Sequence, residues 1–294
     1  MSDYPLVSVL MTCFNREKFI GEAIESVQAS GYPNFELLIV DDASVDRTAS
    51  IAHAYAQKDK RIRIFINSFN LGDYPNRNKA AGLANGKYIV YTDSDDAMFA
   101  GSLLKWVDGM EKHKAQFGIF VSGCFTEPTQ LPAAASIRYH FFHKPLLMYG
   151  PGATITTKDY FRTIGGFPEK YGPANDMYFN LKAASQTSTV YFPFPVCNYR
   201  LHEGQEINNH YGYLINSYCY QRDALDELGL HLTEEEIRFL SAVNKRRFVT
   251  NCMNFLLASK DIRKTFNAVR KAKFSLLDFS QTLYIKSLKK GRVK

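Results

Sequence analysis

The sequence predicts an α/β protein: a mostly parallel sheet flanked by helices, carrying a helical extension at its C-terminal end. Three observations carry that expectation. Short apolar runs alternate with segments of helical period through the N-terminal part of the chain. Polar clusters follow those runs. The C-terminal part is helical by pattern.

The elements follow in order. Residues 6–11 form a compact apolar strand that ends in Thr12, Cys13, Phe14 and Asn15. Phe19, Ile20, Ala23, Ile24 and Val27 then repeat with helical spacing, and Gly31 and Pro33 stop the helix. Residues 35–40 read as a second buried strand, leading into Asp41 and Asp42, and a helix follows to about Gln57. Residues 62–66 are a third strand, Asn70 to Gly72 a turn, and residues 76–84 a helix closed by Asn85 and Gly86. A fourth strand spans 87–92 and runs without a spacer into Asp93, Asp95 and Asp96. Strand and helix alternating in this way is the signature of a parallel sheet wrapped by helices. In such a sheet the strand ends lie side by side, so one ligand can touch all three polar clusters.

Composition sets bounds. The 294 residues suit one large domain or a domain with an appendage, and 46% hydrophobic residues supply a core. No run of eighteen apolar residues exists, so no transmembrane helix is expected. The N-terminus shows no secretory signal pattern. Five scattered cysteines without metal-ligand spacing favour free thiols in a reducing compartment, the cytoplasm. The net charge of +7 is unevenly spread: residues 243–294 hold fourteen Lys or Arg against two acids. The tail is therefore basic and the rest mildly acidic. No nucleic-acid motif accompanies that charge, so no specific nucleic acid is expected.

The carboxylates at 93–96 repel one another unless a positive charge sits among them. A hard divalent cation with oxygen ligands meets that need, and Mg²⁺ commonly shares its shell with substrate phosphates. Aspartates capping the next helix, 103–113, are the structural alternative. A Ca²⁺ loop of the EF-hand kind is excluded, since Met98 stands at the turn-glycine position and Leu104 at the bidentate-glutamate position. The dinucleotide glycine fingerprint and the P-loop are both absent.

Four motifs in order, residues 7–15, 35–44, Asn70 to Gly72 with Arg77 and Asn78, and 86–96, resemble the family 2 glycosyltransferases of the GT-A fold. Gly165 to Phe167, Asn175 with Asp176, and Tyr199 to His202 continue the resemblance to about residue 205. The resemblance implies a catalytic domain over 1–210 and leaves 211–294 as a basic, mainly helical region. It implies an inverting enzyme that passes a sugar from a nucleotide-diphosphate donor, UDP-linked by preference, to an acceptor hydroxyl in surface polysaccharide assembly. The acceptor would be a glycan or a lipid-linked glycan. A non-catalytic nucleotide-sugar-binding or scaffold protein of such an assembly is the alternative.

By that resemblance, Thr12 and Phe14 contact the base, and Asp42 accepts a hydrogen bond from its N–H. Asp42 equally fits a turn or helix cap. Arg77 reaches the nucleotide with a planar, permanently charged guanidinium. Asp95 and Asp96, with Asp93 beside them, share a ribose contact and an Mn²⁺ or Mg²⁺ ion held by the diphosphate. Asp176 is the general base at the start of a helix, whose dipole favours the ionised form. Asn175 stands where the family usually has Glu, which bears on acceptor contacts and favours the scaffold alternative. Arg200 and His202 alternate in an extended segment, face one side, and are expected over the diphosphate or acceptor. Residues 150–156 read as a turn and strand on the acceptor side.

In the C-terminal region, Thr233 to Glu236 is a capping box opening a long helix toward Leu257, and two shorter helices follow near 265–269 and 276–285. The last nine residues, 286–294, hold five basic side chains and are the expected place for peripheral contact with an anionic membrane.

Overall fold

The computed structural model describes residues 4–200 and 209–284. Its strands and helices in chain order are β1 (Val7–Cys13), α1 (Ile20–Gln28), β2 (Phe35–Asp41), α2 (Thr48–Lys58), β3 (Ile62–Ile66), α3 (Asp73–Leu83), β4 (Tyr88–Tyr91) and β5 (Ala97–Met98). Next come α4 (Ser102–His113), β6 (Phe117–Phe120), β7 (Thr129–Leu131), α5 (Ala133–Phe142), β8 (Thr154–Thr157), α6 (Lys158–Thr163), α7 (Asn175–Gln186), β9 (Thr189–Phe192) and β10 (Cys197–Asn198). Four helices follow: α8 (His210–Glu227), α9 (Glu234–Ser259), α10 (Ile262–Lys271) and α11 (Leu276–Tyr284).

Eight strands form one sheet in the order β3-β2-β1-β4-β8-β6-β9-β7. The four N-terminal strands are all parallel, as the alternating pattern predicts. Beyond β4 the sheet becomes mixed, because β8 runs antiparallel to both β4 and β6, and β7 antiparallel to β9. The chain leaves β1 toward β2 on one side and returns to pair β4 on the other, so the switch point that opens a crevice lies at the end of β1.

Helices cover both faces of this sheet, which is why β1 and β2 read as unbroken apolar runs instead of alternating ones. Alternate residues still separate. Val7, Val9 and Met11 join Leu37 and Ile39 in one core under α1 and α4. Leu10, Leu38 and Val40 join the other, with Phe167, Phe179 and Tyr191. That second core extends into the C-terminal helices through Tyr220, Ala224, Leu225 and Leu240. A smaller cluster, with Tyr218 stacked on Phe248 and Ala268 beneath, holds α8, α9 and α10 together.

Most boundaries match the sequence reading within two residues. Two differ: α10 starts at Ile262, three residues before the expected 265, and α3 starts at Asp73, three before the expected Asn76. Pro75 does not prevent this, because a proline in the first turn lacks only an N–H that would have no helical partner. The capping box forms as expected: Thr233 Oγ1 accepts from Glu236 N at 3.2 Å, and Thr233 N donates to Glu236 Oε2 at 2.9 Å. Gly86 permits the close approach of β4 to β1, since a Cβ there would lie 2.5 Å from Ser8 N. Among the described residues no helix is long and apolar enough to cross a membrane, and all five cysteines are unpaired. His202 and the basic stretch 286–294 lie outside the described residues.

Candidate active site

A cavity of about 920 Å³ opens beyond the carboxyl ends of β1, β2 and β4. Its walls bring together Thr12, Phe14, Asp42, Arg77, Asp93, Asp95, Asn175 and Asp176, residues drawn from five separate segments.

The floor is built from two tethered loops. Asn15 and Ala43 both adopt the left-handed conformation, with φ of 54° and 62°. Hydrogen bonds hold them there: Asn15 Oδ1 accepts from Val45 N at 3.0 Å, and Asn15 N donates to Ser44 Oγ at 2.9 Å. Asp41 Oδ2 accepts from Ser44 N at 3.0 Å, so Asp41 is a turn residue. Thr12 is buried within β1, and Phe14 projects at the mouth with 42% of its surface exposed.

Asp42 is buried and holds the next loop. Its Oδ1 accepts from Asn67 Nδ2 at 2.7 Å and Leu71 N at 2.8 Å, and its Oδ2 from Gly72 N at 2.9 Å. The carboxylate thus anchors the Asn70 to Gly72 turn while lining the cavity. A carboxylate has about four acceptor positions, and three are taken here by the protein.

Arg77 is buried on α3, clamped between two acids. Its Nε donates to Asp73 Oδ1 at 2.8 Å, and its Nη1 lies 2.8 Å from Asp93 Oδ1, off the hydrogen-bond axis. Burial raises the Asp93 carboxyl above its usual range, and Arg77 opposes that rise. Asp95 Oδ2 accepts from Arg16 Nε at 3.1 Å. Asp96 is pushed up to about 7 by burial first and then by the charge of Asp93, with Asp95 adding to it.

Arg200 secures the acidic cluster from outside the cavity wall. Its backbone N–H donates to Asp96 Oδ1 at 3.1 Å, and its guanidinium reaches Glu22 on α1 at 2.6 Å and the Asp96 carbonyl at 3.3 Å. Beside it, β10 pairs with β5 in a two-stranded sheet, Cys197 opposite Met98. Tyr199, half exposed, lines the cavity in place of the expected arginine.

On the opposite wall, a short 3-10 turn at Gly172–Ala174 delivers the chain into α7. Asn175 faces inward to the fold, where its Oδ1 accepts from Tyr171 N at 2.9 Å. Asp176 Oδ1 accepts from Met177 N at 2.7 Å. Burial nevertheless pushes the Asp176 carboxyl up to about 7, against that N–H and the more distant Arg77. A carboxylate poised near neutrality is suited to taking a proton. Gly150 packs beside it: a Cβ there would stand in ordinary contact with Asp176 Oδ2, at 3.7 Å.

Oxygen-only donors crowded on one loop fit Mg²⁺ or Mn²⁺ in kind. Among the described residues, however, no three His, Cys, Asp or Glu side chains are grouped to enclose a metal. Such a site fits an ion that shares its shell with donor phosphates, not one caged by protein alone.

Arg16 and Asp73 belong to the site without a role expected from sequence, whereas Gly150 and Tyr199 fall in segments already expected there. Arg16 had a signal, since it stands two residues beyond Phe14 in the same loop. Asp73 enters through its contact with Arg77.

The family model described as Glycosyl transferase family 2 matches residues 8–163. The chain belongs to this family. A UDP-Glc:alpha-D-GlcNAc-diphosphoundecaprenol beta-1,3-glucosyltransferase, WfgD of Escherichia coli, is 37% identical over 117 residues, covering 40% of this chain and 45% of that protein. The chain spans between 35% and 45% of the length of such curated relatives. Among solved structures, S. aureus TarS 1-349 in complex with UDP-GlcNAc superposes with a TM-score of 0.71 at 21% identity, covering 90% of this chain and 80% of that one. A mannosyltransferase from Pyrobaculum calidifontis in complex with GDP-Man and Mn²⁺ gives 0.61 at 14% identity, over 96% and 84%. At those identities the likeness establishes the GT-A fold. The family 2 match covers the acidic cluster and stops short of Asp176.

Proposed function

We propose that the protein is an inverting, divalent-cation-dependent glycosyltransferase that uses a UDP-linked sugar in surface polysaccharide assembly. One observation carries the reading: a single cavity joins the strand-end loops of β1, β2 and β4 to a buried carboxyl on α7 held near neutrality. The relatives support this choice of donor and acceptor class, two of them being named for UDP-Glc and a lipid-diphosphate acceptor. The unpaired cysteines fit a cytoplasmic site of action.

In this reading Thr12, Phe14 and the loop anchored by Asp42 hold the nucleotide, and Arg77 with Arg16 orients Asp93 and Asp95 toward its phosphates. Asp95, which lines the cavity, would hold the cation with Asp93 and Asp96 beside it, and the cation would supply Lewis-acid stabilisation of the leaving diphosphate. Asp176 takes the proton of the acceptor hydroxyl. The acceptor oxygen forms its bond to the anomeric carbon on the face opposite the leaving group, and the electron pair of the broken C–O bond departs with the nucleoside diphosphate. Asn175 is spent on bracing Tyr171, so the departure from the usual Glu leaves the base in place. The region 1–210 does not close the cavity alone in this reading, since α8 supplies Tyr213 to its wall and the C-terminal helices share the second core.

The test is turnover of a panel of UDP-sugars with Mn²⁺, on the intact chain and on Asp176→Asn. Turnover lost in the variant while UDP affinity persists supports the reading. A variant that turns over at the parental rate would refute it.

A further inference from the structure

A second cavity, of about 580 Å³, lies behind the segment that enters α7. Glu169, Gly172 and Pro173 face the first cavity, whereas Lys170 and Tyr171 line the second. The first turn of α8 divides in the same way, Tyr213 toward one and Tyr211 toward the other. The two cavities therefore share a thin wall, and Asp176 begins its helix directly after that wall.

We propose that this second cavity binds a phosphate or diphosphate group carried by the acceptor whose hydroxyl reacts at Asp176. The inference rests on the glycosyltransferase reading and extends it to the acceptor.

Charge is the first argument. Lys170, Arg222, Lys271 and Lys273 line the cavity against a single lining carboxylate, Asp223. Two of these cations are already balanced. Lys170 Nζ lies 3.1 Å from Asp223 Oδ2 and 3.5 Å from Glu227 Oε1. Arg222 grips Asp223 Oδ1 through Nε at 2.8 Å and Nη2 at 2.7 Å, while its Nη1 donates to the Ala272 carbonyl at 2.8 Å. Lys271 and Lys273, both exposed, have no acidic partner among the described residues. The cavity thus carries two uncompensated positive charges held over a fixed, internally balanced base.

Donor geometry is the second argument. Asn216 lines the cavity, and its Nδ2 stands where a Cβ on Gly172 would meet it at 2.7 Å, so the amide is aimed at the shared wall. The N-terminus of α8, an eighteen-residue helix, opens on the same space at Tyr211 and adds its positive dipole end, while the Gly212 N–H is capped by Asn209 Oδ1 at 2.8 Å. The Lys271 and Lys273 ammonium groups, the Asn216 amide and the first turn of α8 together form the donor set that recognises phosphate oxygens.

A phosphate on a lipid and a phosphate on a soluble glycan present this same chemistry, and the test has an arm for each. Calorimetry at low salt would measure inorganic pyrophosphate binding to the full chain saturated with UDP, which blocks the donor site. Binding should persist, and Lys271→Gln with Lys273→Asn should weaken it about tenfold or more without changing UDP affinity. Asn suits position 273, where φ is 52°. Co-sedimentation with phosphatidylcholine vesicles doped with a prenyl diphosphate is the second arm. Retention that the double variant loses assigns a lipid acceptor; pyrophosphate binding without retention assigns a soluble one. Pyrophosphate binding that disappears under saturating UDP, or that the double variant leaves unchanged, overturns the proposal. Neither arm needs turnover, so their failure leaves glycosyl transfer standing, and failure of UDP-sugar turnover would leave the pyrophosphate result unaffected.

Discussion

Asp176→Asn should trade activity for stability, and the size of the trade follows from burial. The carboxyl ordinarily titrates at 3.8 and is pushed up to about 7 in the fold. Keeping it ionised in the folded protein therefore costs about 4 kcal/mol once the pH exceeds 7. The sign follows from proton counting. Between the two values the folded state holds a proton that the unfolded state has lost, so stability falls as pH rises through this window. At pH 5 only about 1.5 kcal/mol of the cost is present; at pH 8 all of it is. Asn removes the charge and can keep the hydrogen bond from Met177 N. Melting of the two proteins at both pH values checks this. The variant's advantage should grow by about 3 kcal/mol between pH 5 and pH 8, roughly 6 °C for a chain of this size. In the same preparation UDP-sugar turnover should fall by a factor of 10² or more. A variant no better stabilised at pH 8 than at pH 5 would refute the claim that burial presses on this carboxylate, and with it the account of how the base is tuned.

Three further outcomes are expected. For the parent protein, kcat/KM should rise about tenfold per pH unit below 7 and level off above it, following ionisation of Asp176; a flat profile from pH 5 to 8 would argue for another base. Asp42→Ala removes the acceptor for Leu71 N and should destabilise the protein by about 1–3 kcal/mol while weakening UDP binding, both read in one thermal-shift titration. Chelation by EDTA should abolish UDP binding in calorimetry and Mn²⁺ or Mg²⁺ should restore it, whereas binding indifferent to chelator would remove the cation from the mechanism.

The N-terminal half of the fold was legible because each buried strand is punctuated by its own turn chemistry. Residues 62–66 were bounded to the residue, since charged Arg61 precedes and polar Asn67 follows a short run of isoleucines alternating with Arg63 and Phe65. The antiparallel placement of β8 was not legible, because local pattern carries no information on which neighbour a strand pairs with. At the site, Asp93, Asp95, Asp42 and Asp176 declared themselves through motif spacing, and the cavity gathers all four. Arg200 was expected over the diphosphate or acceptor, yet its guanidinium turns to Glu22, an acid on a helix nearly two hundred positions earlier. Asn175 was noted as a departure from the family, but its bond to Tyr171 N depends on a turn geometry that no periodicity encodes.

The two-stranded pairing of β5 with β10 has a consequence for how the chain can be divided. Beside its ion pairs to Arg16 and Arg77, the acidic loop is clasped by a segment about a hundred residues downstream, through Cys197 on Met98 and the Arg200 amide on Asp96. A fragment cut where the family match ends, at residue 163, would contain every residue of the loop and none of its clasp. The smallest independently competent piece is thus set by where the chain returns, and the recognisable signature is shorter than the machine it announces.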